Sequence, residues 1–320
     1  MSSPALPEEL RHAIDEILQR VPSRALTARA TGISDAYRAG RGSEMNIRDT
    51  TDVAAYLATR LPATYAAVTA ALDATADRAL NFAPQSLLDF GAGPGTASWA
   101  AAQIWPHLRD ITMLDRNAAL LVAAQTLAEA SSMLALQSAR RIMTLETSAN
   151  FDLVIAAYVF AELPQAELAK AAVQLWKACR EILVIIEPGT PDGFERIRTI
   201  RETLLSQNAR IAAPCPGAYA CPIAAPDWCH FSVRLPRSRA HMRAKAADVP
   251  FEDEKFSYVA FAREHIALHP IQARILARPH AMKPEIRFKL CTAEGVTDRT
   301  VARRDPAYKA AAKKDWGDPL

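Results

Sequence analysis

The spacing of apolar positions changes near Ser86. Before it, Leu10, Ile14, Ile17 and Leu18 recur at helical spacing, and Val53, Tyr56, Leu57, Leu61, Tyr65 and Val68 do so again. Gly40, Gly42 and Pro62 punctuate this stretch, which predicts an N-terminal helical region over residues 1–84. From Ser86 onward, short apolar runs alternate with helical stretches. They predict strands at Ser86–Phe90, Asp110–Asp115, Arg141–Leu145, Phe151–Ala157 and Glu181–Ile186. Helices are predicted to about Ile104, from about Asn117 to Glu129, and from about Gln165 to Arg180. This alternation predicts an α/β fold with a doubly wound parallel sheet over residues 85–200. In residues 201–320 the pattern loosens. A helix from about Phe194 to Gln207 leads in, Phe256–Ala262 alternates like a strand, and Glu285–Cys291 and Val296–Arg303 flank Glu294-Gly295 as a hairpin. Pro306–Trp316 reads as a short basic helix.

Half of the 320 residues are apolar and 23% are charged, which excludes wholesale disorder. No run approaches the ~20 uninterrupted apolar residues of a membrane span. Glu8, Glu9, Asp15 and Glu16 near the start argue against a targeting peptide, so a cytoplasmic, monomeric protein is expected. The net charge of +3 is uneven, with residues 1–233 carrying −4 and residues 234–320 carrying +7. Arg234, Arg237, Arg239, Arg243 and Lys245 follow one another with no acid between them, a stretch that fits either a phosphate-backbone contact or a solvated loop that keeps the protein soluble.

Asp89-Phe-Gly91-Ala-Gly93-Pro-Gly95 stands where the first strand meets its helix, the place where open α/β sheets bind ligands. Glycines there let the backbone turn sharply and approach a ligand closely. A dinucleotide fingerprint requires glycine at position 96, which is Thr96, and the Gly-Lys-Ser/Thr of a phosphate-loop ATPase is missing. Gly-x-Gly-x-Gly after an acid resembles instead the first motif of class I S-adenosylmethionine-dependent methyltransferases. That likeness implies a Rossmann-like fold, with Asp115 accepting from the ribose hydroxyls and Asp89 orienting the methionine end. Glu146 is a further candidate, for adenine. Base-amino methyltransferases carry Asn-Pro-Pro-aromatic after the fourth strand, where this chain has Ala157-Tyr158-Val159-Phe160-Ala161-Glu162-Leu163. Tyr158 and Glu162 face the right region, but no methyl acceptor is assigned.

Three of five cysteines, Cys215, Cys221 and Cys229, fall within fifteen residues. Cys179 is the scattered, buried kind. The gaps are wider than the Cys-x₂₋₄-Cys of a zinc knuckle, and proline follows Cys215 and Cys221, as beside cysteines of iron–sulfur sites. Cys291 could complete four thiolates; His230 leaves a Cys₃His zinc site open.

Several segments together resemble a known family. They are Tyr56-Leu-Ala-Thr-Arg-Leu-Pro62-Ala-Thr-Tyr65, Glu187-Pro-Gly-Thr-Pro-Asp-Gly193-Phe, Trp228-Cys-His-Phe231 with Arg234, Glu252-Asp-Glu-Lys-Phe-Ser-Tyr258, and Leu290-Cys-Thr292. The likeness is to the methyltransferase-like assembly factors of the mitochondrial small ribosomal subunit and their bacterial relatives. It implies a class I methyltransferase fold and a [4Fe–4S] cluster on Cys215, Cys221, Cys229 and Cys291. It further implies binding to small-subunit ribosomal RNA, for which Arg234, Arg237, Arg239, Arg243 and Lys245 are the candidate contacts. Glu252, Asp253 and Glu254 read as local counter-charge. The alternative expectation is a zinc-stabilised methyltransferase acting on a protein or small molecule, with no RNA partner.

Overall fold

The computed structural model describes residues 5–38, 42–131, 136–141 and 150–320. The chain opens with helices α1 (Glu8–Gln19), α2 (Ser23–Arg38), α3 (Ser43–Asn46), α4 (Thr50–Thr59) and α5 (Leu61–Ala76). Each starts or faces as its sequence dictates. Glu8 and Glu9 sit in the first turn of α1, where acids complement the helix dipole, and Leu10, Ala13, Ile14 and Leu18 form its buried stripe. Asp49 caps α4 in a reciprocal box with Asp52, and Pro62 opens α5 at a position where a missing N–H costs nothing.

The α/β core follows as β1 (Ser86–Phe90), α6 (Thr96–Ile104), β2 (Asp110–Asp115), α7 (Ala118–Glu129), β3 (Leu136–Arg141), β4 (Phe151–Ala157), α8 (Leu168–Ala178), β5 (Cys179–Pro188) and α9 (Pro191–Leu205). The remainder comprises β6 (Arg210–Ala213), β7 (Phe231–Pro236), α10 (Arg239–Ala244), β8 (Phe251–Ala262), β9 (Ala273–Ile275), β10 (His280–Ala281), β11 (Glu285–Thr292), β12 (Gly295–Ala302) and α11 (Tyr308–Ala311).

The central sheet runs β3-β2-β1-β4-β5-β8-β6. Its first five strands are parallel and β8 is antiparallel to β5, the arrangement of the class I S-adenosylmethionine-dependent methyltransferase fold. The far edge of β8 is shared: β6 pairs with its C-terminal end, and β7 with its N-terminal half. Alternation in the strands sorts residues between two layers. Leu87, Met113, Ile155 and Val184 pack with α1 and α4–α7. Leu88, Leu114, Val154 and Ile185 pack with α8 and α9. Burying one such side chain is worth roughly 1.5–3 kcal/mol, so the sheet is held from both faces. The N-terminal helices share the first of these cores. A second, antiparallel sheet, β10-β11-β12 with β9 on β11, has its own small core of Ile275, Ile286, Phe288, Leu290 and Val301.

The third strand is described over Leu136–Arg141 and meets the predicted run Arg141–Leu145 at Arg141; residues 142–149 lie outside the described residues. The final helix is also shorter than predicted, at Tyr308–Ala311.

Candidate functional site

At the carboxyl ends of β1, β2 and β4 lies a cavity of about 150 Å³. Gly91, Gly93, Asp115, Arg116 and Leu120 line it together with Tyr56, Arg60, Thr64, Tyr158 and Pro188. Both loop glycines are left-handed, with φ +72° at Gly91 and +54° at Gly93. A Cβ on Gly91 would stand 2.6 Å from Val159 Cγ2, so any side chain there collides with the turn after β4. Gly95, φ +81°, does not line the cavity; its missing side chain makes room for Met113, whose Cε would lie 2.8 Å away.

Asp115 ends β2 with both oxygens in use. Oδ2 accepts from Gly93 N at 2.7 Å and Oδ1 from Asn117 N at 2.7 Å. A carboxylate has about four acceptor positions, so each oxygen can still take a further donor from the cavity. Burial raises its pKa, against which those backbone bonds work. Asp89 sits differently. It is 1% exposed, does not line the cavity, and its Oδ2 accepts from Ser98 N at 3.0 Å and Ser98 Oγ at 2.8 Å. Burial pushes its pKa up to about 7. Asp89 therefore braces the loop against α6. Glu146 lies outside the described residues.

The N-terminal helices roof this cavity, which the helical periodicity alone could not reveal. The Asn117 side chain donates to Ser43 O (3.1 Å) and Ile47 O (2.9 Å), and Ser43 N donates to Glu162 Oε1 (3.0 Å). Tyr56 projects from α4, its pKa pushed up to about 12 by burial. Tyr158, with a left-handed φ of +62°, donates to Glu254 Oε1 on β8 at 3.0 Å, and Arg60 approaches the same oxygen at 3.7 Å. A tyrosine in that conformation costs of order 1–3 kcal/mol and persists only where its surroundings hold it.

A second, smaller cavity of about 30 Å³ is lined by Cys215, Cys221, Cys229 and Cys291, with Arg201, Tyr219, Ser257 and Tyr258. Cys291 reaches it from β11, where it pairs with Arg274 on β9. The cysteine loop is gripped through its carbonyls. Arg78 donates to Cys215 O (3.2 Å), Arg274 to Pro214 O (2.7 Å), Ser257 Oγ to Cys229 O (2.8 Å), and Arg201 to Gly217 O and Tyr219 O. Arg201 Nε and Tyr219 Oη are buried with no nitrogen or oxygen partner among the described residues, and their side chains lie against the thiols of Cys215 and Cys291. Burial raises the thiol pKa of Cys215, Cys229 and Cys291, that of Cys291 to about 11, and repulsion from neighbouring thiolates adds to it. Such a cavity carries thiolates only if a cation enters with them. Among the described residues no three His, Cys, Asp or Glu side chains stand close enough to hold one metal ion, so the sulfurs share a cavity but do not converge on a single ion. His230 does not line the cavity; it stacks on Trp228 with ring centroids 5.1 Å apart. Cys179 is buried elsewhere, beneath Trp176 and α8.

The basic segment is less free than its composition suggests. The antiparallel register of β7 and β8 sets Arg234 opposite Asp253 and Leu235 opposite Glu252. Arg234 pairs with Asp253 through two bonds of 2.7 and 2.8 Å. Glu252 receives Arg237 (3.3 Å), His241 (3.0 Å) and Lys245 (2.6 Å). Burial pushes the Glu252 carboxyl up, but the bonds from His241 and Lys245 outweigh it and hold its pKa well below the usual range. The run of cations without an acid in sequence is thus partly neutralised from the neighbouring strand. Arg239 and Arg243, on α10, are exposed and make no ion pair among the described residues.

Residues 50–320 match the family described as mitochondrial small ribosomal subunit Rsm22. The chain is 31% identical over 293 residues to the human ribosome assembly protein METTL17, mitochondrial, a match covering 83% of this chain and 61% of that protein. It is 23% identical over 296 residues to the Rsm22-cox11 tandem protein 2, mitochondrial, of Schizosaccharomyces pombe, covering 73% of this chain and 38% of that one. The chain thus spans about three fifths of the human relative's length and less of the yeast one's. Among solved structures, magnesium protoporphyrin IX methyltransferase of Synechocystis with bound S-adenosylmethionine matches with a TM-score of 0.41 and 14% identity, covering 82% of this chain and 100% of that one. A likeness that distant bears on neither fold nor function. The cytoplasmic expectation is overturned, because the matching family and both relatives are described as mitochondrial. Acidic residues near the start of the chain were a poor guide to compartment. Among the described residues no helix is long and apolar enough to cross a membrane.

Proposed function

This chain belongs to the mitochondrial small ribosomal subunit Rsm22 family, and on that premise we propose that it binds S-adenosylmethionine, carries an iron–sulfur cluster and contacts small-subunit ribosomal RNA during ribosome assembly. The observation that supports this reading most is the shared cavity of Cys215, Cys221, Cys229 and Cys291, whose members come from a loop and a distant hairpin. The donor set fits a [4Fe–4S] group. Four thiolates satisfy its irons, and the buried side chains of Arg201 and Arg274 lie close enough to act electrostatically on Cys215, offsetting the net negative charge. The Arg201 and Tyr219 side chains, already beside the thiols of Cys215 and Cys291, are donors for sulfur. The cluster would supply structural order, fixing a loop whose closure is otherwise entropically costly.

In the larger cavity, Asp115 would take the ribose hydroxyls on its remaining acceptor positions. The peptides of Gly91 and Gly93 would lie against the cofactor, and Asp89 would act on its methionine end only through the loop that it braces. For RNA, the exposed Arg239 and Arg243 are the stronger candidates; Arg234, Arg237 and Lys245 would have to leave carboxylates first. Calorimetric titration with S-adenosylmethionine tests the cofactor reading. Asp115→Ala should weaken binding at least about tenfold, consistent with losing charge-assisted hydrogen bonds worth ~1.5–3 kcal/mol, and equal affinity in the variant would refute the assignment.

A further inference from the structure

The two cavities are joined by a short chain of contacts through one turn, Pro188-Gly189-Thr190, and one strand, β8. Pro188 lines the larger cavity. Both backbone groups of the next residue are engaged from outside its own strand. Gly189 N donates to Lys255 O on β8 at 2.9 Å, and Gly189 O accepts from the Trp228 indole Nε1 at 3.1 Å. The turn is pressed flat against β8: a Cβ on Gly189 would come within 2.6 Å of the Lys255 and Phe256 backbone. Trp228 immediately precedes Cys229. On the other side, Ser257 pairs in register with Glu187 at the end of β5 while its hydroxyl grips Cys229 O. Three residues back along β8, Glu254 holds Tyr158 and Arg60, both of which line the larger cavity.

We propose that Trp228 and Ser257 are positioning residues for the methyl-donor cavity, so that the affinity for S-adenosylmethionine depends on order in the cysteine loop. The inference rests on the cofactor reading above. Its physical basis is that Gly189 is buried, so releasing Trp228 leaves a carbonyl without a partner and frees the turn whose first residue, Pro188, lines the cavity. A filled thiol site would hold Trp228 in place and favour the arrangement that the donor binds. Linkage requires the reverse effect to be equal, so the donor would tighten metal retention by the same factor.

The test is calorimetric titration of the full chain, isolated without oxygen, with S-adenosylmethionine. Untreated protein is compared with chelator-treated protein, Trp228→Phe and Ser257→Ala. Phe keeps the ring and loses only the N–H donor. Metal content and melting temperature are measured on each sample, since a merely structural lesion would move those first. The expected result is affinity about tenfold weaker after chelation, within the usual range of coupling between sites. Trp228→Phe should be weaker by about threefold or more, with metal content and melting temperature unchanged. Affinities within twofold across all four samples overturn the proposal. Undetectable binding to untreated protein removes it together with the cofactor reading. If the protein carries no metal, the cluster reading fails, and the two substitutions alone decide the coupling.

Discussion

The two cavities are built in opposite ways. The larger one stands on the strand–helix turns of one parallel sheet, with Gly91, Gly93 and Asp115 on successive turns and Tyr56, Arg60 and Thr64 brought over them by the N-terminal helices. The thiol cavity gathers Cys215, Cys221 and Cys229 from an irregular loop and Cys291 from a separate antiparallel sheet. The first is set by backbone conformation, with left-handed glycines that no other residue replaces. The second is set by side chains and by arginines that hold the loop through its carbonyls. A site of the first kind should fail when a methyl group is added, and one of the second kind when a ligating atom is removed.

The largest effect should follow Gly91→Ala. The positive φ and the 2.6 Å approach to Val159 Cγ2 have no nearby relief. A loss of about 3 kcal/mol is expected, which lowers the melting temperature by roughly 4–5 °C in a chain of 320 residues and abolishes donor binding. A stable variant with normal donor affinity would break the contrast between the sites.

The basic face gives a smaller, graded effect. Neutralising Arg239 or Arg243 should reduce the slope of log affinity for small-subunit RNA against log salt by about 0.7–0.9 each. Arg234→Gln should change it less, because Asp253 already holds that guanidinium. Equal slopes for all three would mean that the pairing seen here opens on binding.

A pH-dependent effect concerns Asp89. Its pKa of about 7 lies above the ordinary carboxylate value, so the folded chain keeps a proton that the unfolded chain has released. Stability should therefore fall as pH rises from about 4 to about 7. Asp89→Asn should flatten that part of the profile, leaving the parallel contribution of Glu187, also pushed up to about 7 by burial. An unchanged slope in melting temperature against pH would contradict this reading.

Much of the fold was legible because burial leaves a periodic trace. Ser86–Phe90, Asp110–Asp115 and Phe151–Ala157 are strands with the bounds that their apolar runs predict. Strand β7 was not predicted, since Phe231–Pro236 is only partly buried and ends in proline; its pairing with β8 is what neutralises Arg234 and Arg237. The roof over the larger cavity was hidden for a related reason. Tyr56 and Arg60 stand in a segment that carries the family resemblance, but no role follows from it, and only tertiary contacts turn them toward Glu254 and the glycine loop. Asp89 shows the converse limit, because an acid before a glycine motif cannot announce that Ser98 will occupy it. Clustering alone marked three of the thiols, whereas Cys291, distant in sequence, stood out only as an available fourth thiolate until family resemblance joined it to them.

Iron and acid-labile sulfide, measured on the full chain isolated without oxygen, test the central claim most directly. The account predicts about four irons and four sulfides per chain, with broad absorbance near ~400 nm that is lost in Cys291→Ser. Colourless protein with no iron, or a Cys291→Ser variant that retains the full complement, would contradict it.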